Sequence, residues 1–140
     1  MTDMEMAQKI LQEGEYTCVA CKNGRVYTAT KRGVRPLVDW LDERTDLMGA
    51  AVADKVVGRG AAFLYLLLGV RSVYGAVMSS PAMKVLRSGG IETEWGTLTE
   101  GIRNRAGNGP CPMEYSTAVT EDPEEALMII RAELNRLSNP

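Results

Sequence analysis

Apolar positions recur at helical spacing at both ends of the chain and at strand spacing between them. Residues 4–13 place Met4, Ala7 and Leu11 beside Met6 and Ile10 on neighbouring rows of a short amphipathic helix, and Gly14 follows as a stop. Residues 15–30 hold two β-rich runs joined by Asn23-Gly24, the pair that most readily supplies the positive φ angles of a two-residue hairpin turn. Residues 36–42 fit a helix with Pro36 in its first turn and Leu37, Val38 and Leu41 on one face. Residues 48–53 are small and apolar. Residues 54–69 then read as the central buried helix, capped by Asp54 and stopped by Gly69. Gly58, Gly60, Ala61 and Ala62 in its first half would let its backbone approach a sheet closely, and its second half is apolar nearly all round.

Residues 70–78 form another β-rich run. Ser79-Ser80-Pro81 supplies a cap and a first-turn proline for a helix that ends at residues 88–90. Residues 91–95 are a short strand candidate, and residues 97–118 are the least regular part. Asp122-Pro123-Glu124-Glu125 opens a last helix with Leu127, Ile130, Leu134 and Leu137 on its apolar face. A hairpin followed by alternating helices and strands predicts an α/β fold: three αβα layers with a mixed central sheet, antiparallel at the start and parallel afterwards. No internal repeat interrupts the pattern, so residues 1–140 are expected to form a single domain.

Composition narrows the partners. The 140 residues are 45% hydrophobic and 24% charged, a chain long enough to bury roughly two-thirds of its unfolded surface without a disulfide framework. A net charge of −2 argues against a broad nucleic-acid surface, though not against a local basic pocket. The longest apolar stretch, residues 61–69, is about half of the ~20 residues that a membrane span needs, and the first 15 residues lack an apolar signal core. A cytoplasmic protein with no membrane partner is the expectation, with its three cysteines as reduced thiols.

The absence of histidine changes the picture most, because it removes Ser/His/Asp triads, Cys/His dyads and His-based zinc sites. Chemistry is left to Cys, Asp, Glu, Lys, Arg and Ser, or to a bound cofactor, whose identity the sequence leaves unknown. Cys111 lies between Pro110 and Pro112, downstream of Arg103 and Arg105, whose guanidinium groups would favour its thiolate. Cys18 and Cys21 have redox spacing, but residues three apart on a strand point to opposite faces. With only Cys111 left over, no metal set is expected.

Lysine at a helix N-terminus is unfavourable by a few tenths of a kcal/mol to ~1 kcal/mol, so Lys55 beside a capping Asp54 reads as a site pair. Gly58, one turn on, would admit a ligand or merely a strand. One of Ser79 and Ser80 caps its helix, and the other, with the free amides there, could hold an anion or a carboxamide. Asn104 and Arg105 fall in the irregular segment. Glu114 is a candidate general base, and Cys111 is as readily a buried apolar filler as a reactive thiol.

The stretches Ala53-Asp54-Lys55-Val56-Val57-Gly58, Val77-Met78-Ser79-Ser80, Ile102-Arg103-Asn104-Arg105 and Cys111-Pro112-Met113-Glu114 resemble those of a family of small, uncharacterised prokaryotic proteins with a cytidine-deaminase-like fold. The resemblance covers nearly the whole chain. Zinc deaminases carry His (or Cys) and a catalytic Glu at one helix start and Pro-Cys-x-x-Cys at the next; Asp54-Lys55-Val56 and Ser79-Ser80-Pro81-Ala82-Met83 stand at the matching places, with no zinc ligand at either. The resemblance thus implies a deaminase-like fold without zinc-dependent deamination.

The function expected is a pocket for a polar small molecule, anionic or nucleotide-like, at the ends of the central strands. Asp54, Lys55, Gly58, Ser79, Ser80, Asn104, Arg105 and the Cys111-Pro112-Met113-Glu114 loop would line it. In an enzymatic version Cys111 is the nucleophile, Glu114 or Asp54 its proton partner, and Lys55 or Arg105 the stabiliser of developing charge. The alternatives are a redox sensor or sulfur carrier acting through Cys111, and a structural protein that forms a homo-oligomer.

Overall fold

The computed structural model describes residues 1–102 and 111–138. Helix α1 (Asp3–Glu13) opens with a reciprocal cap: the Thr2 hydroxyl accepts the Glu5 N–H at 3.0 Å, and the Glu5 carboxylate accepts the Thr2 N–H at 2.9 Å. Strands β1 (Cys18–Lys22) and β2 (Arg25–Ala29) form the expected hairpin, with Asn23 and Gly24 at φ 51° and 82°. The Asp3 carboxylate accepts the amides of both turn residues, which ties α1 to the hairpin tip. Then follow α2 (Arg35–Asp42), β3 (Ala51–Val57), α3 (Arg59–Leu68), β4 (Ser72–Ser79), α4 (Ser80–Ser88) and β5 (Glu92–Thr99). Helix α5 (Pro112–Ser116), a 3-10 turn (Thr117–Val119) and α6 (Pro123–Ser138) complete the chain.

The sheet order is β2-β1-β3-β4-β5. β1 is antiparallel to both neighbours, whereas β3, β4 and β5 run parallel. This is the mixed α/β sheet that the pattern predicts, with helices on both faces. The larger core lies under α2, α3, α4 and α6, and a smaller one lies under α1, where Ala7 and Leu11 meet Val19, Cys21 and Ala53. Cys18 belongs to the first core and Cys21 to the second, so the two sulfurs lie on opposite faces of the sheet. Among the described residues no helix is long and apolar enough to cross a membrane.

Two segments depart from the sequence reading. Residues 54–57 are strand, not helix: β3 continues to Val57 because it pairs with β4 through Val56↔Val77 and Val57↔Met78. Gly58, extended at φ −99° and ψ −179°, is the N-cap, and α3 starts at Arg59. Asp54 is therefore no helix cap and Lys55 stands at no helix start, which removes the electrostatic reason for pairing them. Val52, Val56 and Val57 were the local signal, because β-branched side chains favour the pleated surface. The segment read as irregular also starts too early, since β5 runs on to Thr99 through the pairs Met78↔Leu98 and Ser79↔Thr99. The far end of α3 is as expected, with Gly69 at φ 71° donating its N–H to the carbonyls of Tyr65 and Leu66.

Candidate functional site

Because β3 and β4 are parallel neighbours, the two helices that follow them begin side by side at one edge of the sheet. Gly58 caps α3 with no side chain to offer. Ser79 caps α4, its hydroxyl accepting the Ala82 N–H at 3.1 Å. Into this place comes Glu114 from α5, buried. Its Oε2 accepts the Arg59 N–H at 2.5 Å and the Ser79 hydroxyl at 3.1 Å, and its Oε1 accepts the Ile102 N–H at 3.2 Å. A carboxylate at a helix N-terminus meets unpaired amides and the positive end of the dipole, an arrangement worth ~0.3–2 kcal/mol. Glu114 does for α3 what a capping side chain would, from 55 residues away in sequence.

Arg59 fixes the other end of the same segment. Its Nη1 donates to the carbonyls of Thr117 at 2.5 Å and Thr120 at 2.8 Å, and its Nη2 pairs with Glu121 at 2.8 Å. The guanidinium lies 4.8 Å from the centroid of the Phe63 ring. One residue thus holds Glu114 through its main chain and the 3-10 turn through its side chain. The sequence reading missed it. The available signal was charge: Arg59 is the one ionisable cation in a helix that otherwise reads Gly-Ala-Ala-Phe-Leu-Tyr-Leu-Leu-Leu.

Ile102 links the Cys111 main chain to the carboxylate. The Cys111 N–H donates to its carbonyl at 2.6 Å, while its own N–H goes to Glu114. Cys111 is half-buried against the larger core. Pro112 is half-buried and opens α5, and Met113 is buried beneath it; the Met113 carbonyl accepts the Thr117 hydroxyl at 2.6 Å and lies 3.4 Å from where a Cβ on Gly60 would be.

Of the candidate residues, Gly58, Ser79 and Glu114 come together, with Cys111 and Met113 at their flank. Ser80 turns away and donates its hydroxyl to the Thr99 carbonyl at 3.2 Å. The Lys55 side chain is exposed. Asn104 and Arg105, like Arg103 and Pro110, lie outside the described residues. Asp54 is buried, but its carboxylate accepts the Tyr65 hydroxyl at 2.6 Å, and Cys18 Sγ lies 3.4 Å from that hydroxyl. Burial pushes the Asp54 carboxyl up to about 7, and it raises the Cys18 thiol and the Tyr65 phenol as well. Among the described residues no three His, Cys, Asp or Glu side chains are placed to hold a metal ion.

Each carboxylate oxygen offers two lone pairs. Glu114 Oε2 uses both, but Oε1 accepts only one bond from the described residues. That oxygen lies 3.7 Å from where a Cβ on exposed Gly101 would be, so no side chain at Gly101 covers it.

The family model for DUF1893 (TM1506), a domain of unknown function, matches residues 6–134. The chain belongs to the DUF1893 family. The solved structure of a DUF1893 protein, TM1506 from Thermotoga maritima, is 25% identical and superposes with a TM-score of 0.85 over 95% of this chain and 91% of that one. The dCMP deaminase of cyanophage S-TIM5, in its apo form, is 17% identical, with a TM-score of 0.44 over 66% of this chain and 92% of its own. A diaminohydroxyphosphoribosylaminopyrimidine deaminase/reductase from Thermotoga maritima is 16% identical, with a TM-score of 0.46 over 67% of this chain and 35% of its own. No curated protein sequence matches this chain significantly.

Proposed function

We propose that this protein is a zinc-free binder of a polar, nucleotide-like small molecule, which it holds at the starts of α3 and α4 with Glu114 as its acceptor. The observation that supports this best is the convergence of the α3 and α4 starts on the Glu114 carboxylate, whose Oε2 is fully engaged while its Oε1, beside Gly101, accepts only one hydrogen bond from the described residues. A ligand suited to it presents an N–H or O–H donor, as the amide and amine edges of nucleobases do. Three hydrogen bonds fix the carboxylate before a ligand arrives, so little side-chain entropy is lost on binding. Cys111, whose amide N–H is held by the carbonyl of the same Ile102 that donates to Glu114, lines the edge of that site. Free thiols suit a cytoplasmic protein, whose compartment keeps them reduced.

The test is a thermal-shift and calorimetric titration with cytidine, adenosine and their 5′-monophosphates, on wild type, Glu114→Gln and Cys111→Ser. Binding by wild type that falls at least tenfold in Glu114→Gln, with Cys111→Ser still binding, is the expected result. Wild-type binding that Glu114→Gln leaves unchanged removes the assignment, as does no binding of any of the four at millimolar concentration.

A further inference from the structure

A groove of about 330 Å³ is lined by Arg59, Pro81, Lys84, Val85, Ser88 and Glu121, without Glu114. That volume is at the lower end of the ~300–1,000 Å³ typical of small-molecule sites. Pro81, Lys84, Val85 and Ser88 follow the i, i+3, i+4, i+7 spacing of one helix face, so the groove lies along α4. Its facing wall is the junction of the 3-10 turn and α6.

The charges in it are unequal partners. The Arg59 side chain is 10% exposed, and two carbonyls and a ring hold it in place. Glu121, which meets its Nη2 from the solvent side, is 90% exposed. Such a carboxylate contributes little, since exposed ion pairs are worth ~0–1 kcal/mol. Lys84 is exposed and has no ion pair or hydrogen bond from its side chain among the described residues. A fixed guanidinium, an exposed ammonium with no partner among the described residues and a readily displaced carboxylate between apolar walls make a receptor for a dianion with an apolar body.

We propose that this groove binds a small phosphomonoester, its phosphate bridging Arg59 and Lys84 in place of the Glu121 carboxylate, and its organic part against Pro81 and Val85. Arg59 Nη2, whose partner is the exposed Glu121 carboxylate, is the donor that the phosphate would take over, and lysine adds a point charge. The site goes beyond the one proposed at Glu114 and shares only Arg59 with it.

The experiment titrates phenyl phosphate into the full chain, followed by calorimetry and by amide shifts. The variants are Lys84→Met, which keeps the apolar stem, Glu121→Gln, which removes the competing charge, and Glu92→Gln on β5 as a control for net charge. Arg59 is left intact because it braces the 3-10 turn. Lys84→Met is expected to weaken binding at least fivefold, Glu121→Gln to strengthen it three- to tenfold, and Glu92→Gln to change it less than twofold, with shifts centred on α4. No binding at millimolar phenyl phosphate overturns the proposal, and so do equal affinities in all four proteins or equal strengthening by both glutamine variants. Because Glu114 is untouched throughout, failure here is distinct from failure at the other site.

Discussion

A Cβ on Gly58 would lie 2.6 Å from Glu114 Oε2, closer than real Cβ contacts come. The glycine is therefore required by a partner 56 residues later and not by its own backbone, whose φ of −99° suits any L residue. Gly58→Ala should destabilise the fold by ~1–3 kcal/mol, the usual cost of overpacking a filled site. In a Glu114→Ala background the same substitution should cost far less, because the atom it strikes is gone. Urea denaturation of the two single variants and the double variant measures that coupling, and additive losses would rule out the clash.

Arg59 should matter for the same edge of the sheet through a different set of bonds. Arg59→Met keeps much of the packing on Phe63 but leaves the carbonyls of Thr117 and Thr120 without their donor. Each charged hydrogen bond removed from a buried acceptor costs ~1.5–3 kcal/mol. The loss should appear first in the segment that Arg59 braces. Amide exchange of residues 113–120 should accelerate before that of β1 or β3. Uniform acceleration across the sheet would mean that Arg59 is an ordinary core contact.

The sheet was legible in the sequence where local chemistry dictates structure. Asn23-Gly24 can hardly do other than turn, and Ser79-Ser80-Pro81 caps α4 as its residues imply. The start of α3 was not, because an aspartate ahead of an apolar run resembles a cap, and beyond Asp54 only pairing with β4 carries the strand through to Val57. The site divides in the same way. Gly58, Ser79 and Glu114 could be picked out one by one, since each belongs to a motif that draws attention. That Glu114 reaches both helix starts is a long-range fact, and the aspartate that seemed to belong with them turns inward to Tyr65.

That inward turn has a pH signature. Asp54 titrates at about 7 when folded against an ordinary 3.8, so the fold favours its protonated form. Its stabilising contribution is fully present below pH 3.8 and is lost as pH rises towards 7, at no more than about 1.4 kcal/mol per pH unit. Asp3, Glu5, Asp42, Asp46 and Glu133 are all held low by hydrogen bonds, and they act in the opposite direction, losing stability as pH falls below the ordinary carboxylate range. The difference between wild type and Asp54→Asn isolates the buried group. Relative to that variant, wild type should lose stability between pH 4 and pH 7 in urea melts, and parallel curves would place Asp54 in an ionised, solvated setting.

The thiols offer the most direct test of the Glu114 site. Cys18 and Cys21 are fully buried, one in each core. Burial raises the Cys18 thiol, and burial together with the Asp3 carboxylate pushes Cys21 to about 11. Both are therefore slow nucleophiles at neutral pH, where the thiolate is the reacting form. Cys111 is only half-buried, on the segment whose amide hangs from Ile102. A brief exposure to iodoacetamide at pH 7.5, mapped by mass spectrometry, should alkylate Cys111 at least tenfold faster than either strand cysteine. A ligand seated against Glu114 should slow that reaction, and Glu114→Gln should remove the protection without slowing the unliganded rate more than a few-fold. Equal rates at all three positions would show that opening of the whole fold, not the site, controls access, and would leave Cys111 as part of the wall.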